Sequence, residues 1–260
     1  MARLTTRAVT SRADLIGFFD ALASRYAEAH GSADRLLAYR LGVIRQLLEG
    51  APRGTLLEIG CGTGIHALAL ASEFTTVIGT DISPAMIDAA RRLAEQTAYA
   101  SFRVDPAEEL TTVADQSVDV VLCVGALEHM PDKPRVLDQV RRVLRAEGRF
   151  VCLTPNGGYC WYRRLAPLLR RDVRHLSTDL FVTRRQLEAL LTAAGLETVE
   201  CRLWTFVPRG DLPAGLGPVL GVLDRFGRRT GMASLRGGIA IAASLSEGRS
   251  RVWDAKAERE

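Results

Sequence analysis

The chain has 260 residues, of which 47% are hydrophobic and 25% charged, and its formal net charge is +4. This composition is ordinary for a globular protein, and the small net charge argues against nonspecific nucleic-acid binding by the whole molecule. The longest apolar stretches, such as "LPAGLGPVLGVL" at 212–223, are too short and too rich in glycine to predict a membrane span. The five cysteines lack metal-type C-x-x-C spacing and indicate a reduced, cytoplasmic chain.

Strands and helices alternate through most of the chain. In chain order, the apolar runs and helical periodicities predict helices at 14–30 and 33–50, a strand at 55–60, a helix at 64–74, a strand at 75–81 and a helix at 84–96 with Ser83 as N-cap. They then predict strands at 100–105 and 117–125, a helix at 133–148, a strand at 149–155, a helix at 183–196 begun by Thr183, and closing strands at 197–207 and 235–245. This alternation predicts an α/β fold, with a Rossmann-like, doubly wound, mainly parallel sheet of seven strands and helices on both faces.

The same pattern divides the chain into three parts. We expect an N-terminal helical lid at 1–49, a main domain at 50–245 and a charged tail at 246–260. The main domain is interrupted by an insertion at 156–182, after the fifth strand, and by a glycine- and proline-rich excursion at 208–234.

The stretch "LLEIGCGTG" at 56–64 is a glycine-rich turn directly after an apolar strand. A dinucleotide-binding fingerprint would place its third glycine at Ile65, whereas here it comes one residue earlier, at Gly64. The turn therefore lacks the spacing that suits a pyrophosphate, and the carboxylate of Glu58 would repel one. A carboxylate at this place suits an amino group instead.

Two further acids end the next two strands. Asp81 is placed to bind a ribose diol and Asp105 to meet an adenine amino group, because such sheets bind ligands at the carboxyl ends of their strands. An amine, a ribose and an adenine in one row indicate S-adenosylmethionine as the cofactor.

These motifs, together with "FRVDPAEEL" and "VDVVLCVGALEHMPDKPRVLDQVRRVLRAEGRFVCLTPN", resemble the class I S-adenosylmethionine-dependent methyltransferases over 50–155 and again over 183–245. The resemblance implies a methyltransferase domain at 50–245. It also implies that the methionine part is held by Glu58, Gly60, Cys61, Gly62, Thr63 and Gly64, the ribose by Asp81, and the adenine by Ile82, Met86, Asp105, Pro106 and Ala107, with Val124 beneath the sulfonium.

Methyl transfer to a hydroxyl requires removal of a proton, and a histidine is the best candidate for this task. His129 follows the fourth strand beside the expected position of the methyl group, although a structural role in the loop before Pro131 suits the sequence equally. Glu128 is expected to hold a histidine or a backbone amide. His175 in "RHLSTDLFVT" is the second candidate base, with an exposed loop histidine as the alternative.

This segment most resembles the quinone-biosynthesis O-methyltransferases, whose loop reads Glu-x-x-Glu-His and in which a divalent metal is implicated. Gly125 stands at the place of the first acid, which leaves Glu128 and His129. Two side chains make a weak site for a hard cation, so we expect activity without a metal.

The insertion mixes aromatic residues with arginines, in "YCWYRRLAPLLRRDVRHL". This pattern predicts a solvated amphipathic helix packed on the core, and the alternative is a peripheral membrane contact through 159–175. With the aromatic stretch around Trp204 and the apolar stretch at 212–223, it indicates a largely apolar acceptor.

We therefore expect a cytoplasmic, bacterial-type O-methyltransferase of small molecules, acting on a phenol, a quinone precursor or a polyketide-like hydroxyl. N- or C-methylation, and a cofactor-binding regulatory protein without catalysis, stay open as alternatives because the cofactor motifs are common to all of them. No Asn/Asp-Pro-Pro-Tyr/Phe loop follows the fourth strand, which argues against nucleic acid as the acceptor. The oligomeric state stays open.

Overall fold

The computed structural model describes residues 7–23, 33–168, 176–204, 234 and 236–246, and all structural statements below concern these residues. The candidate base His175 lies outside them, as do nearly all of the predicted excursion and the predicted tail.

The described strands form one sheet in the order β3-β2-β1-β4-β5-β7-β6. Its strands are β1 (Thr55–Ile59), β2 (Thr76–Asp81), β3 (Ala100–Val104), β4 (Val118–Val124), β5 (Leu144–Pro155), β6 (Leu196–Trp204) and β7 (Gly238–Leu245). The first five run parallel, and β7 is antiparallel to both of its neighbours, β5 and β6. The predicted seven-stranded, mainly parallel sheet is confirmed.

The helices cover both faces of the sheet. They are α1 (Arg12–Ala23), α2 (Ala33–Leu47), α3 (Ile65–Leu70), α4 (Pro84–Leu93), α5 (Lys133–Val143), α6 (Ala166–Leu168) and α7 (Arg184–Ala193). The described residues also form 3₁₀ turns at Ala71–Glu73 and Leu127–His129 and a π-helical turn at Trp161–Leu165. Successive residues of β1 enter different cores: Leu57 packs in one cluster with Val140 of α5, whereas Leu56 packs in another with Ile44 of α2 and Ile87 of α4. This explains why Leu56 and Leu57 are both apolar, whereas a strand with one exposed face would alternate.

Two of the predicted helix starts are confirmed. The hydroxyl of Ser83 accepts a hydrogen bond from the backbone N–H of Met86, and Thr183 forms a reciprocal capping box with Gln186. Each cap supplies an acceptor to the first helical turn, which fixes where α4 and α7 begin.

The helix that was predicted to continue to Gly148 is shorter in the structure. It ends at Val143, and β5 begins at Leu144, whose fully buried side chain lies beside Val118 of β4. The next pair joins Val120 to Arg149, so the intervening residues form an irregularity within the strand pairing. Burial of Leu144 in a sheet position thus outweighs the helical propensity of the residues after it.

Candidate active site

An open cleft lies beside the carboxyl ends of β1, β2 and β4 and contains about 590 Å³ of empty space, part of it open to solvent. Its walls are formed by Leu15, Phe19, Gly60, Gly62, Asp81, Ile82, Met86, Ala107, Glu108, Gly125, Ala126, His129 and Met130. The chain reverses its direction of winding between β1 and β4, which is where folds of this type bind their ligands.

The cleft includes about half of the residues that the resemblance assigns to the cofactor. Those on its walls are Gly60, Gly62, Asp81, Ile82, Met86 and Ala107. Those that are not on its walls are Glu58, Cys61, Thr63, Gly64, Asp105, Pro106 and Val124.

The glycine turn has a left-handed backbone that favours glycine. Gly60, Gly62 and Gly64 have φ values of 61°, 53° and 75°. A Cβ atom on Gly60 would lie 2.6 Å from the Cβ of Ala126, and one on Gly64 would lie 2.6 Å from the ring of Phe102. The turn therefore needs glycine for its backbone conformation and for its close packing.

Asp81 connects the end of β2 to this turn. Its Oδ2 accepts a hydrogen bond from the backbone N–H of Gly62 at 2.8 Å, and its Oδ1 accepts one from Ser83 at 2.9 Å. Burial raises the pKa of the Asp81 carboxyl, although these backbone donors act in the opposite direction. Because each carboxylate oxygen can accept more than one hydrogen bond, the group on the cleft wall can also accept from ribose hydroxyls.

Glu58 is fully buried behind the cleft. Its Oε2 accepts a hydrogen bond from Ala67 at the start of α3, while its Oε1 lies 3.3 Å from Nδ1 of His66 without hydrogen-bond geometry. Among the described residues, Oε1 is thus a buried acceptor without a hydrogen-bond donor. Because Oε1 is buried and Glu58 is not on the cleft wall, a ligand amino group would meet the charge of this carboxylate across the turn rather than by direct contact.

Asp105 has a different place from the one expected. Each of its carboxylate oxygens accepts a backbone and a hydroxyl hydrogen bond from Thr111 or Thr112. The carboxylate is used to hold the loop after β3, and the cleft wall at this point consists of Ala107 and Glu108 instead.

His129 lies on the cleft wall and forms a pair with a buried acid. Its Nδ1 lies 2.6 Å from Oδ1 of Asp179, whose side chain is entirely buried. Burial lowers the pKa of His129, but the hydrogen bond that it donates to Asp179 and the negative charges of Glu128 and Asp179 outweigh burial and raise the pKa overall. The pair is the arrangement that fixes an imidazole tautomer in general acid–base sites.

Glu128 connects two parts of the site, and its carboxylate is buried. Oε2 accepts a hydrogen bond from the Thr154 hydroxyl at 3.1 Å, and the backbone carbonyl accepts one from the N–H of Leu180 at 3.0 Å. Nearby, the Lys133 ammonium donates to the carbonyl of Met130, and burial lowers its pKa. The Glu128 carboxylate thus holds a threonine hydroxyl rather than the histidine or backbone amide that was expected, and it adds a negative charge beside His129.

Several residues of the site could not be identified from the sequence. Asp179 stands four residues after the predicted His175, and no local pattern connects it with His129, 50 positions away. Leu15 and Phe19 of α1 line the cleft, and the sequence predicted a helical lid at 1–49 without indicating which of its residues would do so. The periodic apolar face of the first predicted helix was the sequence pattern that could have indicated that α1 lines the cleft.

The described part of the insertion packs its aromatic side chains together. The ring of Tyr162 lies 5.1 Å from Tyr159 and 5.0 Å from Phe181, while Arg163 and Arg164 are exposed. This is the packing expected of an amphipathic segment on the core. No described helix combines the length and the apolar character that crossing a membrane requires.

Within the described ranges, no three His, Cys, Asp or Glu side chains come together as a metal-binding group. Gly125, at the place of the first acid of the metal-implicated loop, lies on the cleft wall. The donor set present here therefore does not fit a divalent metal that needs three protein ligands.

Comparison with known proteins gives a consistent result for fold and family. Residues 57–152 match the family described as "Methyltransferase domain". The chain is 32% identical over 151 residues to the ubiquinone biosynthesis O-methyltransferase of Klebsiella pneumoniae, covering 56% of this chain and 62% of the relative. The corresponding protein of Acinetobacter baylyi is 30% identical over 146 residues, covering 54% and 61%. The chain thus spans somewhat less than two thirds of the length of these relatives.

Solved structures agree in fold over almost the whole chain. The geranyl diphosphate C-methyltransferase of Streptomyces coelicolor, in complex with Mg²⁺, geranyl diphosphate and S-adenosyl-L-homocysteine, has a TM-score of 0.65 at 16% identity and covers 92% of this chain and 100% of its own. The [4+2]-cyclase SpnF has a TM-score of 0.67 at 18% identity, with 95% and 99% covered. The matched domain and the curated relatives support a class I S-adenosylmethionine-dependent methyltransferase, and the solved structures show the fold.

Proposed function

We propose that the protein transfers the methyl group of S-adenosylmethionine to a hydroxyl oxygen of a small, largely apolar acceptor. The observation that carries this proposal is the pair of His129 and Asp179, with its imidazole on the wall of the cleft that also contains the glycine turn. The name of the matched relatives, ubiquinone biosynthesis O-methyltransferase, supports an oxygen acceptor.

The residues present fit the cofactor, which supplies an activated methyl group on a sulfonium. Gly60, Gly62 and Asp81 would hold its methionine and ribose parts, and Ile82 and Met86 would pack on its adenine. The buried Oε1 of Glu58 would attract the amino group through the turn.

The protein's contribution to the reaction is alignment and proton removal. Asp179 holds Nδ1 of His129 as a donor, which leaves Nε2 to accept the proton of the acceptor hydroxyl. His129 would take that proton as the hydroxyl oxygen attacks the methyl group that the bound cofactor would supply, with S-adenosylhomocysteine as the leaving group. The negative charge of Asp179 stabilises the imidazolium that results.

Part of the cleft wall is apolar and would form the acceptor side. Leu15, Phe19, Ala126 and Met130 line it, so that a phenol, a quinone precursor or a polyketide-like ring can be bound with its water removed. Exclusion of water strengthens the interaction between His129 and the reacting hydroxyl.

The test is transfer of a labelled methyl group to a panel of phenols and aliphatic alcohols, with matched amines for comparison. We expect transfer to oxygen, and we expect His129→Ala to lower turnover by at least about 100-fold while S-adenosylhomocysteine still binds, because a positioned base contributes about 10²–10⁴ in rate. An active His129→Ala enzyme would indicate an amine or an already ionised phenol as the acceptor. Cofactor binding without transfer to any member would favour a regulatory protein.

A further inference from the structure

The described N-terminal segment, residues 7–23, contacts both sides of the cleft. On the cofactor side, Asp20 of α1 accepts hydrogen bonds from the Ser83 hydroxyl at 2.5 Å and from the N–H of Ala85 at 3.1 Å. Leu15 lies on the cleft wall. Because Ser83 and Ala85 start α4, the segment is attached to the part of the protein that would contain the adenosine.

On the other side, the segment pairs with residues 176–180, which we term the base loop. Arg7 forms a parallel bridge with Leu176, and its carbonyl accepts a hydrogen bond from the N–H of Ser177 at 2.9 Å. The N–H of Val9 in turn donates to the Ser177 hydroxyl oxygen at 2.9 Å. Ser177 is thus held from both its backbone and its side chain by residues 7–9.

The base loop is a tight turn built around Asp179. The N–H of Leu176 donates to Oδ2 of Asp179 at 2.9 Å, and the N–H of Asp179 returns to the carbonyl of Leu176 at 3.2 Å. The N–H of Leu180 donates to the carbonyl of Glu128, next to His129. A displacement of Ser177 would therefore move the carboxylate that lies 2.6 Å from Nδ1 of His129.

α1 also contacts the imidazole directly. The ring of Phe19 lies 5.4 Å from that of His129 in an edge-on arrangement. Asp20 follows Phe19 in the same helix, so the residue that attaches the segment to α4 is adjacent to the one that packs on His129.

We propose that Ser177 and residues 7–9 are positioning elements for the base, so that closure of the N-terminal segment over the cofactor and alignment of His129 by Asp179 occur as one event. The inference rests on the proposed role of His129. It goes beyond that role because it assigns to N-terminal residues, remote in sequence from His129, an effect on the proton-transfer step.

The first test removes the hydrogen bond between the N–H of Val9 and the hydroxyl of Ser177, by a change to either residue. Ser177→Ala deletes the acceptor and Val9→Pro deletes the donor, and each is expected to lower kcat about 3- to 10-fold, the equivalent of one hydrogen bond, with S-adenosylhomocysteine affinity nearly unchanged. Ser177→Ala also removes the longer bond from the Ser177 hydroxyl to the carbonyl of Val9, at 3.4 Å, so the double variant should be no slower than Ser177→Ala alone. Ser177→Thr, which keeps the hydroxyl, should restore kcat.

Ser117→Ala is the matched control, since Ser117 also makes one exposed hydrogen bond, to the carbonyl of Ala114, far from the cleft. It should leave kcat unchanged. Normal kcat in folded Ser177→Ala and Val9→Pro, or additive losses in the double variant, would overturn the inference.

The second test concerns the connection between the two sides. Asp20→Ala should weaken S-adenosylhomocysteine binding and should also lower kcat at saturating cofactor, whereas Asp88→Ala, an exposed acid of α4 paired with Arg91, should do neither. A normal kcat for Asp20→Ala at saturation would refute the connection.

A measurement that needs no methyl acceptor distinguishes this inference from the proposed function. The His129 imidazole can be titrated by NMR in the S-adenosylhomocysteine complex, and Ser177→Ala should lower its measured pKa because Asp179 is less well held. An unchanged titration would contradict the positioning role. Full turnover of His129→Ala would contradict the proposed base, whatever the titration gives.

Discussion

Replacement of Asp179 by asparagine is the sharpest test of the pair with His129. The substitution keeps the shape of the side chain but removes its charge. In the structure Oδ2 accepts from the N–H of Leu176 at 2.9 Å, so the amide oxygen would take that position and turn its NH₂ group towards His129. Nδ1 would then have to accept, which places the imidazole proton on Nε2, where it cannot take one from the acceptor.

The magnitude follows from the geometry. The bond of 2.6 Å is charge-assisted and its acid is fully buried, and a hydrogen bond to a charged group contributes about 1.5–3 kcal/mol. If that contribution is lost from the transition state, kcat falls by about 10- to 160-fold. Loss of the correct tautomer adds to this, up to the whole effect of a general base, about 10²–10⁴.

The assay is release of S-adenosylhomocysteine with the best acceptor of the panel, at saturating cofactor. We expect Asp179→Asn to lose at least about 100-fold in kcat, with cofactor affinity and thermal unfolding close to those of the parent protein. A folded Asp179→Asn enzyme with kcat near that of the parent would refute the assignment of His129 as the base, because no tautomer-dependent step would then limit turnover.

Three other predictions follow from the site. Asp81→Ala should weaken binding of S-adenosylhomocysteine, measured by calorimetry, by about 2–4 kcal/mol if Asp81 accepts from both ribose hydroxyls, and unchanged affinity would place the ribose elsewhere. Turnover should persist in EDTA, because Gly125 supplies no third ligand, and a loss restored by magnesium would contradict this. His129 faces Asp179, Glu128 and Lys133, and its pKa is raised in the folded protein. We therefore expect kcat to increase as the pH rises through that pKa, because the imidazole loses its proton. The protonated imidazole contributes fully to the free energy of unfolding below about pH 6.5, and this contribution is lost over the same rise in pH. Parallel pH profiles of turnover and stability would contradict the last prediction.

The sequence predicted the sheet and the cofactor side of the site better than the acceptor side. The continuous apolar run of β1 and the caps Ser83 and Thr183 depend on neighbouring residues, so their patterns are visible in the sequence. The pairing of His129 with Asp179 depends instead on where a distant loop folds back. Asp105 was correctly placed at a strand end, but the sequence could not show that two following threonines would occupy its carboxylate.

The ring of Phe102 fills the space beneath the glycine turn, and this affects how substitutions there can be interpreted. A Cβ on Gly79 would lie 2.4 Å from that ring, in a backbone that does not require glycine for its φ angle. Gly79→Ala should therefore weaken cofactor binding only by pushing Phe102 and the turn apart. The further substitution Phe102→Leu should restore much of the lost stability, which a double-mutant cycle of thermal unfolding would measure. A loss of stability or binding on mutation of this turn thus reflects the packing between β2 and β3. Contact with the ligand is measured by direct binding instead.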